Sequence, residues 1–569
     1  MDRNLDLRPT VALIGAEHEE NLSLRYLAAT VERAGFRAEL VVFTGEADPD
    51  EITSRVLASG AIVAGISVPF QLRARELLGL SDQLRAGGFA GHVCVGGHFA
   101  TFEYENVLRD FSAIDSVVRH EGEAAFLELC QLVRDGAPMG ALPGLVVRQD
   151  GRALVGAKRP LPLLDSLPFP DRRGAPADVL GVPAAPIIGS RGCYADCSFC
   201  CIYAYAENAR GARYRMRSPE NVVEEMTREY HERGVRLFVF HDDNFFVPHA
   251  PTNLTRYRRF AELVADADLE GIGLVLKCRP NDVDRELFAL LKSVGLIRAY
   301  IGIETNSDEG IVSLNRRITS DDNRRALATL RELDLYHSFN MLIFDPAASL
   351  RGVLRNVEFL EDFADTPFNF CRAEVYAGTP LKKLLELEGR LSGDYFAWGY
   401  AMRDPAVELL FRITTTAFFA RNFKGDGVAN LNMGLRFDGE VFRRFYPQTW
   451  DRAFGDSLAA LSRGIGIDTT SHLRRALDFV SAPGPFRDDA VKAFTRDLAR
   501  AVMRADLAFL GETKRLRREM ERRITAAGGA GLHNRFSRTM PPWAAESLRL
   551  GTSVGLEAST ELLPLPSGV

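Results

Sequence analysis

Cysteine is scarce in this chain of 569 residues: eight in all, too few for a disulfide framework. Long hydrophobic runs are missing as well. Hydrophobic residues make up 46% of the sequence, yet no stretch is long enough to cross a bilayer, so a globular chain without a membrane partner is expected. The opening residues, MDRNLDLRPTVALIG, lack the basic region and long apolar run of an export signal, so the expected compartment is the cytoplasm. An excess of one charge is lacking too. A net charge of −6 at this length argues against nucleic acid as the main partner. Lysine is rare among the 70 basic residues, a bias that carries no chemistry here. No internal repeat or low-complexity tract stands out.

Against that scarcity, four cysteines fall close together: Cys193, Cys197, Cys200 and Cys201. In a chain without an export signal, such clustering favours metal over disulfide. Cys193, Cys197 and Cys200, at C-x3-C-x2-C spacing just after the apolar run Pro186-Ile-Ile-Gly189, can give three thiolates to one inorganic centre. A cubane iron–sulfur cluster takes four ligands, so three cysteines leave one iron open, as catalytic metal sites require. The competing reading is a structural zinc site with Cys201 as fourth ligand. Adjacent Cys200 and Cys201 point to different sides of a loop, and four-cysteine zinc sites normally pair two separate knuckles. Cys94, Cys130, Cys278 and Cys371 stand alone and read as small core residues.

The length implies two to four domains. Residues 10–135 alternate β-branched runs with amphipathic helices. Val11–Ile14 is a buried-strand pattern, and Leu24, Leu27, Ala28 and Val31 follow helical spacing up to a stop at Gly35. Further strands are expected at Ala38–Phe43, Ala61–Ile66, His92–Val95 and Ile114–Val118, which makes a parallel, doubly wound sheet. A proline-rich stretch follows. From 186 the alternation resumes, with strands expected at Pro186–Ser190, Arg236–His241, Gly273–Lys277, Arg298–Ile303, His337–Phe344 and Arg372–Tyr376. Ser218-Pro219 is placed to start a helix between them. Six strand–helix units suffice for a partial barrel, whose chemistry sits at the carboxyl ends of the strands. Helical patterns then dominate, at Ala406–Arg421, Asp488–Phe509 and Glu512–Ala526, before a Gly/Pro-rich tail. The α/β fold expected is thus an N-terminal Rossmann-like sheet (1–145), a linker (146–185), a partial (β/α)6 barrel of TIM type (186–385) and a mostly helical C-terminal domain (386–569).

The cysteine motif, with aromatic Phe199 before its last member, resembles the signature of radical S-adenosylmethionine (SAM) enzymes. Phe238-Val-Phe-His-Asp-Asp-Asn-Phe245, Lys277-Cys-Arg-Pro280, Ile301-Gly-Ile-Glu-Thr305 and Val375-Tyr-Ala-Gly-Thr-Pro-Leu381 fit successive strands of that family's barrel. The resemblance implies that Cys193, Cys197 and Cys200 bind a [4Fe-4S] cluster whose fourth iron is chelated by SAM, with Phe199 near adenine. It also implies that Asp243 and Glu304 bind the ribose or amino end of SAM. Asp242 is equally a ligand or a helix cap. Arg279 is either a partner for the SAM carboxylate or a solvated side chain.

Residues 1–140 resemble the cobalamin-binding domain joined to one large class of these enzymes. The matching pieces are Gly15–Leu27, Gly65-Ile-Ser67-Val-Pro-Phe70, Val95-Gly96-Gly97-His-Phe-Ala-Thr101 and His120-Glu121-Gly122-Glu123. Ser67, Gly96, Gly97, Glu121, Gly122 and Glu123 are the residues so implied at cobalamin. No Asp-x-His-x-x-Gly occurs, so cobalt without a protein histidine is expected, with Ser67–Arg75 beneath it and Arg73 or Arg75 close. An ordinary nucleotide site is the competing reading, weakened because no G-x-G-x-x-G follows the first strand. The resemblance implies a methyltransferase that uses methylcobalamin and a SAM-derived radical on a small-molecule or peptide substrate, with flavodoxin or ferredoxin as electron donor. A cyclase or ring-rearranging enzyme with the same cofactors is the alternative. The clusters Arg421–Lys424 and Arg443-Arg444 read as solvated helix faces, or as contacts to an acidic substrate group.

Overall fold

The computed structural model describes residues 8–17, 19–149, 151–483 and 487–529. Its first sheet opens with β1 (Thr10–Ala16), β2 (Arg37–Phe43), β3 (Ala61–Ser67), β4 (His92–Gly96) and β5 (Ser116–Val118). These five run parallel in the order β2-β1-β3-β4-β5. A sheet of this order opens its ligand crevice outside the carboxyl ends of its strands, where the order reverses between β1 and β3. The first helix, Leu22–Arg33, buries Leu24, Ala28 and Val31 as its spacing predicts, and Asn21 caps it by accepting from the Leu24 amide. Two antiparallel strands, β6 (Leu145–Gln149) and β7 (Arg152–Val155), then extend the sheet into the stretch expected as linker. Val146 lies opposite Val117 and is fully buried, so this short hairpin covers what would be an open edge.

The second sheet is the partial barrel. Its strands are β8 (Ala177–Val179), β9 (Val182–Ile187), β12 (Leu237–Phe240), β13 (Gly273–Cys278), β14 (Leu296–Glu304), β15 (Tyr336–Phe344) and β16 (Phe368–Arg372); a separate hairpin, β10 (Ser190–Gly192) with β11 (Tyr214–Met216), stands beside it. The order is β16-β15-β14-β13-β12-β9-β8, parallel from β9 to β16, so the array never closes on itself. Ser218 caps the helix Pro219–Arg233 as expected. Two strands sit earlier than their patterns suggest. β9 ends at Ile187 because Gly189 and Ser190 turn out of the sheet to bond Asp242. Val375-Tyr376 belong to the exit of β16, which turns at Gly378 (φ 73°) before Thr379 caps the next helix.

Alternation along β14 divides the barrel. Ala299, Ile301 and Ile303 are buried toward the helices, while Arg298, Tyr300, Gly302 and Glu304 face inward. The C-terminal domain fills the lower part of that interior. The helix Val428–Phe445 packs Leu435, Phe437, Val441 and Phe442 against Val275 and Tyr336. Each such aromatic, buried, stabilises the closure by roughly 1.5–3 kcal/mol. Besides the small hairpin of β17 (Leu391–Asp394) and β18 (Ala397–Tyr400), the region is helical: Pro405–Ala417, Arg452–Ser481 and Asp488–Ala526. The last is one continuous helix where two are expected, Gly511 being tolerated inside it. The Gly/Pro-rich tail lies outside the described residues.

Of the two basic clusters of this domain, the first is buried at Arg421 and the second lies at the surface, with Arg444 exposed. Arg421 is fully buried, 2.7 Å from Asp506 and 2.6 Å from Asp468. Arg443 pairs with Asp334 at 2.6 Å, and Arg444 donates to the Ile272 carbonyl.

Candidate cofactor and active site at the domain seam

The cysteine loop leaves β10 through Gly192, whose φ of 82° suits glycine. Four residues outside the loop fix it. Ser198 donates from its amide to the Leu314 carbonyl and from its hydroxyl to the Ser313 carbonyl. Asn315 donates to the Asp196 carbonyl, and the Leu381 amide donates to the Ser198 carbonyl. The Cys200 amide closes the turn on the Cys197 carbonyl at 3.1 Å. Burial pushes the Cys193 thiol up to about 11 and Cys200 well above its ordinary value. Bound iron reverses that preference, because a coordinating thiol is held deprotonated. Among the described residues no three Cys, His, Asp or Glu side chains gather as tightly as a single metal ion requires. A cubane takes each thiolate on a different iron, and cysteines spaced along a loop suit it better than they suit a zinc site. Cys201 opens the helix Cys201–Asn208, with its thiol pushed up to about 12 by burial. Phe199 is half-buried against the barrel core.

The strand exits bring acids and cations around this loop. Asp242 is buried and accepts from the Gly189 amide (2.9 Å) and the Ser190 hydroxyl (2.5 Å), so it braces the loop rather than facing a ligand. Asp243 is exposed toward the opening and accepts from the Gly192 amide at 3.1 Å. Glu304 ends β14 at φ 63°, a left-handed conformation that costs a glutamate on the order of 1–3 kcal/mol and is typical of functional sites. Burial pushes its carboxyl up, with Arg316 and Arg279 opposing. Sequence reasoning passed over Arg316, a buried arginine in a turn with no periodic signal. Its Nη1 lies 3.1 Å from the Cys197 Sγ, and Arg279 Nη1 reaches the same sulfur at 3.2 Å. Arg279 is therefore buried and engaged, not solvated. Inside the barrel, Lys277 lies opposite Tyr300. Glu374, also missed, is pushed up to about 7 by burial despite Arg372. Cys371 is half-buried on this side, unlike Cys94, Cys130 and Cys278, which are buried.

The first sheet meets the barrel along its carboxyl edge. Ser67 ends β3, Gly96 ends β4 and Gly97 follows it. Gly97 is required by packing: a Cβ there would stand 2.5 Å from the Val68 carbonyl oxygen at φ 113°. Gly96 and Gly122 have room for a side chain by comparison. Glu121 and Glu123 meet the barrel's arginines. Arg191 lies 2.9 Å from Glu121 and 2.6 Å from Glu123, and Arg215 pairs with Glu121 as well. Behind them His120, at φ 62°, sets its ring 5.1 Å from that of Tyr205, and His98 packs on the same tyrosine at 4.1 Å. Tyr205 stands on the helix that follows Cys200. The edge thus abuts the cysteine loop. Both ring nitrogens of His120 and Oε1 of Gln71 are buried without hydrogen-bond partners, which fits a ligand rich in amide groups, as cobalamin is. Arg73 is held by Glu76 and the Gly45 carbonyl, and Arg75 stacks on Phe396.

Family models match this arrangement in order: the B12 binding domain over residues 10–130 and the Radical SAM superfamily over residues 187–347. The chain is a B12-binding radical SAM protein. A radical SAM domain implies a [4Fe-4S] cluster with SAM, and a B12-binding domain implies cobalamin. This radical SAM protein is 28% identical over 295 residues to an uncharacterised methyltransferase of Pyrococcus horikoshii, covering 51% of this chain and 62% of that one. It is 25% identical over 350 residues to the anaerobic magnesium-protoporphyrin IX monomethyl ester cyclase of Rubrivivax gelatinosus, covering 58% and 60%. It therefore spans about three fifths of the length of these relatives (62% and 60%). Its fold is that of the cobalamin-dependent SAM radical enzyme OxsB with aqua-cobalamin bound, at TM-score 0.66 and 15% identity over 96% of this chain and 85% of that one.

Proposed function

We propose that the chain is a cobalamin-dependent radical SAM methyltransferase that methylates a carbon of a small natural-product intermediate or a peptide. The observation that carries this reading is the seam itself: the carboxyl edge of the cobalamin sheet and the cysteine loop meet through His120 and Tyr205. When bound, the cofactors supply a SAM-derived radical and a transferable methyl group. The chain's residues divide the remaining work. Cys193, Cys197 and Cys200 would hold the cluster, Phe199 would stand on the adenine side, and Asp243 and Glu304 would accept from the ribose or amino end of SAM. Ser67, Gly96, Gly97 and Gly122 shape the cobalamin edge. Glu121 and Glu123 act there as positioning residues, holding the His120–Gly122 loop through Arg191 and Arg215. The packed helix Val428–Phe445 shuts the barrel from below and keeps water from the reacting carbon. A reduced flavodoxin or ferredoxin in the cytoplasm completes the scheme.

A cyclase or ring-rearranging enzyme is the second reading, favoured by the similarity to the Rubrivivax gelatinosus cyclase. Products separate the two. Anaerobically reconstituted protein, assayed against intermediates of its neighbouring pathway, makes both S-adenosylhomocysteine and 5′-deoxyadenosine if it is a radical methyltransferase. A rearrangement makes no S-adenosylhomocysteine. The cluster assignment has its own check. Wild-type chain takes up about four irons, the Cys193/Cys197/Cys200→Ala chain takes up none, and Cys201→Ala matches wild type. Iron retained by the triple variant overturns the reading.

A further inference from the structure

Two cations converge on one sulfur. Cys197, Arg279 and Arg316 are 4%, 7% and 4% exposed, so water screens little of what passes between them. Arg316 Nη1 and Arg279 Nη1 stand 3.1 and 3.2 Å from the Cys197 Sγ. Neither guanidinium is free to swing away. Arg316 Nη2 donates to the Gly302 carbonyl, Arg279 Nη2 donates to the Arg316 carbonyl, and Asn244 and Asp282 accept from the Arg279 amide. Among the described residues no arginine donates a hydrogen bond to Cys193 or Cys200. The clamp is therefore asymmetric and preorganised, two fixed positive charges aimed at a single ligand of the three.

We propose that Arg279 and Arg316 form a clamp on Cys197 that raises the reduction potential of the cluster into the range of its electron donor. The inference rests on the reading of Cys193, Cys197 and Cys200 as cluster ligands. The redox step is a one-electron transfer. A reduced flavodoxin- or ferredoxin-type protein, or dithionite in the test tube, is oxidised, the cluster is reduced, and no proton moves. Adding an electron to a thiolate-ligated cluster increases its negative charge. Nearby cations and hydrogen bonds to a ligand sulfur stabilise that reduced state, and such contacts are among the factors that set cluster potentials. Arg279 and Arg316 act through Cys197, so they are positioning residues.

The test is a potentiometric titration followed by electron paramagnetic resonance on the anaerobically reconstituted full chain without SAM. Leaving SAM out removes any contact of these arginines with its carboxylate from the readout. Arg316→Gln is expected to lower the midpoint by at least a tenfold change in the reduction equilibrium, about 59 mV for one electron. Arg279→Gln is expected to lower it similarly, and Arg316→Lys, which keeps the charge, to stay near wild type. Gln variants that load iron and titrate with wild type overturn the clamp. If Arg316→Gln takes up no iron, the other two variants decide. A lowered midpoint in Arg279→Gln beside a native one in Arg316→Lys supports the clamp, and an unchanged midpoint in Arg279→Gln overturns it. Failure of the wild-type chain to bind about four irons would strike the cluster assignment instead, and the iron count reads that before any potential is measured.

Discussion

Gly192 stands one residue before the first cysteine of the motif, and a Cβ there would lie 2.0 Å from the Arg213 carbonyl oxygen. With φ at 82°, any other residue at this position pays strain on top of the clash. Gly192→Ala is expected to cost on the order of 1–3 kcal/mol and to lower iron uptake by displacing Cys193. Iron content and thermal midpoint together check this, and a variant with native values of both refutes it. At this scale the three cysteines are legible because C-x3-C-x2-C has few other uses. Asp242 and Asp243 are not, since two adjacent carboxylates look alike in a sequence. The fold separates them: one is buried against Ser190 and Gly189, the other is exposed at the opening.

Among the elements, the helical domain is held by a charge in its core. Arg421 sits in a π-helical turn, Phe419–Phe423, and bridges the two long helices through Asp468 and Asp506, with Thr469 as a further acceptor at 3.0 Å. Removing one partner of a buried pair leaves the others uncompensated, at about 3–5 kcal/mol. Arg421→Met is expected to lose that much, read from the denaturant midpoint, and a loss under about 1 kcal/mol would place the pair among weak surface bridges. The sequence could not place this arginine. Its run Arg421-Asn-Phe-Lys424 is as polar as a solvated face, and only the packing of three helices around it decides otherwise. Strands were legible where apolar alternation was long, as in β14 and β15, and were shifted where the run broke into an exit loop, as in β16.

Across the whole molecule, the seam between the sheets is bolted by arginines. Arg172, from the linker, pairs with Glu20 of the first domain and, at 2.6 Å, with Glu225 of the barrel, while Arg233 reaches Glu20 at 2.7 Å. Beside this network His98 and His120 flank Tyr205, both pushed down to about 4 by burial. An unfolded chain protonates its histidines near 6.5, so between pH 6.5 and 4 it binds more protons than the native protein does. Stability is therefore expected to hold above pH 6.5 and to fall as the pH drops toward 4. A His98→Gln/His120→Gln chain should show a shallower decline in thermal midpoint across that window, and an equal decline would exclude the pair as its source.

By itself the sequence determined the two α/β units, their order and the cysteine loop, because periodicity, helix caps and close cysteine spacing are local. Tertiary structure alone decided which charges meet. Glu121 and Glu123 face barrel arginines, Arg316 reaches Cys197 across 119 positions, and the C-terminal helix Val428–Phe445 fills the barrel. Such pairings depend on where the strand ends converge, and no local pattern of residues encodes that convergence.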